Sequence, residues 1–140
     1  MPTKTFRESA LRTITLERDA VSLLLDRIDT HFDKACKLML ACEGRVVVTG
    51  MGKSGHIGTK IAATLASTGT PSMFVHPGEA SHGDLGMITP KDVVLALSNS
   101  GTTAEVVTLL PLLKRMNTPL ISMTGNPNSL LSTTADANLD

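Results

Sequence analysis

Lys53 and Ser54 stand inside Gly50-Met51-Gly52-Lys53-Ser54-Gly55, a glycine turn between the β-branched run Val46-Val47-Val48 and a helical pattern over 57–69. A buried strand, a glycine turn and a helix mouth together aim backbone N–H groups and a helix dipole at an anion. A full positive charge and a hydroxyl in that turn suit a phosphorylated or oxyanionic ligand. The spacing also matches G-x-G-x-x-G, but a dinucleotide fold needs an acid at the end of its second strand to hold a ribose. Here that strand runs into His76-Pro77, and the next acid, Glu79, lies beyond a Pro-Gly turn. A Walker loop would need glycine at 47, where valine stands. The plain alternative, glycines that serve only a tight turn, does not call for Lys53 or Ser54.

The second polar stretch, Ser98-Asn99-Ser100-Gly101-Thr102-Thr103, follows a third apolar run and leads into another helix. Hydroxyls, an amide and a glycine at a helix start can converge on phosphate oxygens without any arginine. Thr102 as N-cap with Glu105 at N3 would instead form a capping box. That explains two residues and leaves Ser98, Asn99 and Ser100 over; Glu105 stays open to capping or to catalysis. The third stretch, 76–86, holds two histidines and two acids. Its spacing fits neither a helical His pair nor a zinc finger, so no metal site is expected. A polar loop dense in glycine suits an active site or an interface. His82, more than His76, is placed to act as an acid or base near neutral pH.

These loops need a scaffold that delivers them to one place. Strands are expected at 45–49, 72–75, 93–97 and 120–123, with helices over 55–67, 103–116 and a short one after Pro127. Such alternation is the mark of an α/β fold, a parallel sheet sandwiched by helices in the flavodoxin or Rossmann manner. A long N-terminal segment, 4–42, also reads as helix. Val21, Leu24, Leu25, Ile28, Phe32, Ala35 and Met39 form one apolar stripe along it. The stripe crosses a break near Asp29-Thr30-His31, where Thr30 fits an N-cap, and Glu43-Gly44 fits a helix stop. So much apolar helix exceeds what a small sheet covers, and part of it is expected to meet another subunit. Ala137-Asn138-Leu139-Asp140 reads as the lead-in to a further strand. The single domain, 1–140, is therefore expected to be incomplete at its C-terminal end.

Bulk properties narrow the partners. Thirteen basic and thirteen acidic side chains cancel, and there are three Phe with no Tyr or Trp. No global field or stacking platform favours nucleic acid. No apolar run reaches membrane-spanning length and no signal-peptide core opens the chain. A cytoplasmic protein is expected, with Cys36 and Cys42 as reduced thiols.

Taken in order, Gly-Met-Gly-Lys-Ser-Gly, His-Pro-Gly-Glu-Ala-Ser-His-Gly-Asp-Leu-Gly-Met and Ser-Asn-Ser-Gly-Thr-Thr-Ala-Glu resemble the sugar isomerase (SIS) domain of D-arabinose 5-phosphate isomerases. The similarity spans essentially the whole chain. It implies a five-stranded parallel sheet, a homotetramer and interconversion of D-ribulose 5-phosphate with D-arabinose 5-phosphate, a step toward the Kdo sugar of lipopolysaccharide. No cofactor is implied. In that reading Lys53 faces the oxyanion, Glu105 shares the proton transfer and His82 meets the carbonyl or hydroxyl edge. Gly52, Ser54, Ser98, Asn99, Ser100 and Thr103 hold the phosphate of a phosphorylated pentose. The family usually carries two CBS domains after the SIS domain, and these are absent from the 140 residues. The rival is a non-catalytic phosphosugar sensor of the kind found in transcription regulators. Those carry an N-terminal helix-turn-helix, and 4–42 shows no basic recognition helix.

Overall fold

The computed structural model describes residues 5–80 and 83–140. Its centre is β1 (Val46–Gly50), whose five residues are all buried. Val46, Val47 and Val48 expose no surface at all, and burying each such side chain contributes about 1.5–3 kcal/mol. β2 (Ser72–Phe74) and β3 (Val93–Leu97) flank β1, and β4 (Leu120–Met123) and β5 (Ala137–Leu139) follow. The order is β2-β1-β3-β4-β5, every pair parallel. Alternation along the strands splits the core between the two faces. Val47, Val94 and Ala96 face a cluster with Val106, Leu109, Leu110 and Leu113. Val46, Val48, Val93 and Leu95 face a second cluster with Ala35 and Ala62.

The helices are α1 (Phe6–Leu23), α2 (Thr30–Leu40), α3 (Gly52–Ser67), α4 (Pro77–Ala80), α5 (Ala104–Val107), α6 (Leu110–Arg115) and α7 (Leu130–Thr134). Two aspartates close the sheet at the amino ends of its strands. The buried Asp92 accepts from the Arg45 N–H at 2.7 Å and the Thr89 N–H at 2.7 Å. Asp136 does the same for the Leu120 N–H at 2.8 Å. Polar loops are thus left for the opposite, carboxyl edge.

Strands β3 and β4 fall where the periodicity sets them, and the C-terminal run pairs as a fifth strand. Several helix bounds differ from expectation. The second helix is capped by Asp29, whose carboxylate accepts from the His31 and Phe32 N–H groups, and Thr30 is its first residue. It stops at Leu40, while Gly44 belongs to the lead-in of β1 because its N–H bonds the Lys91 carbonyl. The expected helix over 103–116 is two pieces, α5 and α6, with Pro111 in the first turn of α6. Proline offers no N–H to continue the preceding turn, which forces the interruption. Cys36 and Cys42 are free thiols. No helix among the described residues is long and apolar enough to cross a membrane.

The helix α1 stands apart. A reciprocal cap opens it: Thr5 Oγ1 accepts from the Glu8 N–H, and the Thr5 N–H donates to Glu8 at 2.8 Å. That hydrogen bond holds the Glu8 carboxyl below its ordinary range. Yet α1 has no buried residue, and Ile14, Val21 and Leu23 are 66%, 64% and 62% exposed.

Candidate functional site

The strand order reverses direction between β1 and β3, the point at which open α/β sheets form a crevice beyond their carboxyl ends. An open cavity of about 510 Å³ lies there. Lys53 and Ser54 reach it from the loop after β1, Ser98 and Asn99 from the loop after β3, and Thr124 and Gly125 from the loop after β4.

The first wall is the mouth of α3. Its helix begins at Gly52, three residues before the expected start, so Lys53 and Ser54 are in its first turn and not in the preceding loop. Gly52 has φ +55, the left-handed region. Gly55 packs against the strand so closely that a Cβ there would stand 2.6 Å from the Gly50 carbonyl oxygen. The glycines therefore set α3 tightly on β1, which accounts for the spacing without a dinucleotide. Met51 supplies no side-chain cap, and no acid occupies the first turn. The N–H groups of Gly52, Lys53 and Ser54 have no acceptor among the described residues. The exposed Lys53 has no ion-pair partner among the described residues either. A cation at the positive end of a helix is unfavourable for the helix itself. What gains from it is an anion in the cavity.

The second wall is the loop after β3. The buried Ser98 keeps the sheet ladder with its N–H on the Met123 carbonyl, and its hydroxyl lies 2.8 Å from that of Thr103. Ser98 Oγ also accepts from the Gly101 N–H at 3.1 Å. Gly101 has φ +66, and a Cβ there would overlap the Ser129 hydroxyl. Its carbonyl accepts from the Leu131 N–H, so the loop is pinned to the start of α7. The Gly125 N–H donates to the Asn99 carbonyl at 3.0 Å and joins the loops after β3 and β4.

The capping alternative for this loop does not hold. Thr103 is the N-cap of α5 and makes no side-chain cap bond, because its hydroxyl is turned to Ser98. Thr102 donates to the Ser100 hydroxyl at 3.1 Å. Glu105 is exposed, and its carboxylate has no hydrogen-bond or ion-pair partner among the described residues.

Of the residues singled out in the sequence, Lys53, Ser54, Ser98 and Asn99 line the cavity together. Gly52, Ser100, Thr103 and Glu105 do not; the turn at Gly101 carries Ser100 to an exposed position. His82 lies outside the described residues. Among those described, no group of three His, Cys, Asp or Glu side chains stands close enough to hold a metal ion. Thr124, Gly125, Arg27 and Asp140 also line the cavity, beside the apolar Leu24, Ile57, Leu97, Met123 and Leu139, and were not anticipated. Thr124-Gly125 had a signal, since a loop after a fourth parallel strand must reach the same edge. Arg27 had none, because the path of the N-terminal segment over the sheet is a tertiary matter.

If Lys53 serves a ligand at a cost to its helix, Lys53→Gln should raise stability by about 0.3–1 kcal/mol at low ionic strength. Urea unfolding checks this, and a destabilised variant would mean that Lys53 has a structural partner.

Comparison with known proteins extends this geometry. The family model described as the SIS domain matches residues 39–140. The arabinose 5-phosphate isomerase KdsD of Pseudomonas aeruginosa is 73% identical over 135 residues, covering 96% of this chain and 41% of that protein. KdsD of Escherichia coli K12 is 54% identical over 134 residues, covering 96% and 41%. The chain thus spans about two fifths of the length of these curated relatives. A solved structure, Escherichia coli CFT073 c3406 in complex with arabinose 5-phosphate, superposes with a TM-score of 0.83 at 41% identity. That alignment covers 98% of this chain and 74% of the other.

Proposed function

The chain belongs to the SIS domain family, and from that premise we propose that it forms the catalytic domain of a D-arabinose 5-phosphate isomerase. The observation that carries this reading is the cavity between the uncapped, lysine-bearing mouth of α3 and the hydroxyl loop after β3. The high identity to KdsD proteins and the fit to a structure holding arabinose 5-phosphate support it.

The chemistry follows from the groups present. Turning ribulose 5-phosphate into arabinose 5-phosphate removes a proton from C1 of the ketose. An enediolate forms, and a proton returns at C2 while C1 becomes the aldehyde. The step needs a base on the C1–C2 edge and positive charge beside the oxygen that gains electrons. Lys53 supplies that charge, with the α3 dipole behind it. Glu105, exposed just outside the cavity lining and unpaired among the described residues, is the group we assign a share of the proton transfer. His82 is assigned the carbonyl or hydroxyl edge.

Ser54 and Asn99 hold the phosphate directly, with the N–H groups at the mouth of α3. Ser98 and Thr103, bonded to one another, shape the loop that carries Asn99 and Ser100, and Gly52 sets the turn that aims the helix. The route needs no redox cofactor. The reaction belongs to the supply of the Kdo sugar for lipopolysaccharide, in the cytoplasm.

The bare apolar stripe on α1 favours a homo-oligomer, a tetramer by the family resemblance. Sedimentation of the full-length protein should give a mass of several chains, and a monomer would contradict it. Lys53→Ala in the same protein should lower turnover of arabinose 5-phosphate by about 10²–10³-fold and leave phosphate affinity largely intact. Near-normal turnover would remove Lys53 from the mechanism.

A further inference from the structure

The cavity contains a second cation that neither the glycine turn nor the hydroxyl loop supplies. Arg27 belongs to the 3-10 turn Leu24–Arg27 that links α1 to α2. It lines the cavity together with Lys53, Ser54, Asn99 and Thr124. Asp140 is the one acid lining the cavity among the described residues, and Arg27 Nη1 lies 3.4 Å from its Oδ1. Without that pairing, the carboxylate would oppose any anion entering beside Lys53.

The turn that carries Arg27 is anchored close by. Asp29 caps α2, α2 packs on β5, and the Asn138 N–H donates to His31 Nδ1 at 3.4 Å. These contacts fix the backbone on the C-terminal side of Arg27 and leave its side chain to reach over the sheet edge. The pair itself is weak: a single contact between side chains 50% and 45% exposed. Arg27 Nε and Nη2 have no acceptor among the described residues. A guanidinium held by one weak contact can leave it and turn its fork of N–H donors onto a phosphate.

We propose that Arg27 is a second ligand-binding cation of this pocket, which trades its contact with Asp140 for the phosphate of the bound sugar. The proposal rests on the phosphosugar reading of the cavity. It makes the N-terminal helical segment part of the binding site, and it gives Asp140 the work of parking Arg27 in the empty pocket. Asp140 then weakens binding slightly, where a merely structural salt bridge would leave affinity dependent on both partners alike.

The test is calorimetric titration of the full-length protein with arabinose 5-phosphate and, separately, inorganic phosphate. Arg27→Met should weaken arabinose 5-phosphate binding by about tenfold and flatten its dependence on salt. Arg27→Lys should recover part of the loss, and Asp140→Asn should bind as tightly as the parent or more so. An Arg27→Met protein that binds within about twofold of the parent overturns the proposal. So does an Asp140→Asn protein that loses as much affinity as Arg27→Met. Thermal melts of each variant separate lost binding from lost folding; if Arg27→Met fails to fold, Arg27→Lys and Asp140→Asn carry the same decision. A parent protein that binds arabinose 5-phosphate without isomerising it refutes the isomerase reading and leaves the Arg27 comparison intact. A parent that binds neither probe overturns both.

Discussion

When all five strands of a sheet run parallel, the loops that follow them all emerge at one edge. That constraint organises this molecule. The amino edge is closed by Asp92 and Asp136, each holding a strand-entry N–H of a neighbouring segment. The carboxyl edge cannot close in the same way, because α3, the loop after β3 and the loop after β4 all begin there. Lys53, Asn99 and Thr124 are 46 and 25 residues apart in sequence and still share one cavity. The site is a consequence of the topology, and its chemistry depends on which side chains the loops bring.

Those side chains are poorly chosen for stability and well chosen for an anion. Helix α3 has no capping side chain, no acid in its first turn and a lysine there. Its glycines hold it against β1 at a distance that any Cβ at position 55 would prevent. The opposing loop spends its hydroxyls on itself: Ser98 bonds Thr103, and Ser100 bonds Thr102. A preformed loop of that kind keeps its backbone in place before a ligand arrives, which lowers the ordering cost of binding.

The architecture was legible in the sequence because the strands are continuous apolar runs. Val46-Val47-Val48 and 93–97 have no second interpretation once helical patterns flank them. The Lys53 and Ser98 loops were legible for a related reason: polar, glycine-bearing stretches directly after such runs must lie at the carboxyl edge. What stayed hidden depended on three-dimensional partners. Nothing local says that Thr103 would bond Ser98 rather than cap α5, or that Pro111 would split the following helix into two short ones. Arg27 was hidden most deeply, since its place over the cavity depends on α2 packing against β5, far along the chain. The exposed stripe from Val21 to Leu25 was visible as a pattern, and its bareness in the fold agrees with that pattern.

The central claim is that the cavity between α3 and the loop after β3 receives a phosphosugar. Backbone amide chemical shifts recorded during titration with arabinose 5-phosphate test it most directly. The account predicts the largest shifts at Gly52, Lys53 and Ser54, at Asn99 and Ser100, and at Gly125. Shifts concentrated instead around His31, Ser132 and Asn138, which line an adjoining cavity of about 580 Å³ that shares Arg27 and Asp140 with the first, or an unchanged spectrum at saturating sugar phosphate, would contradict it.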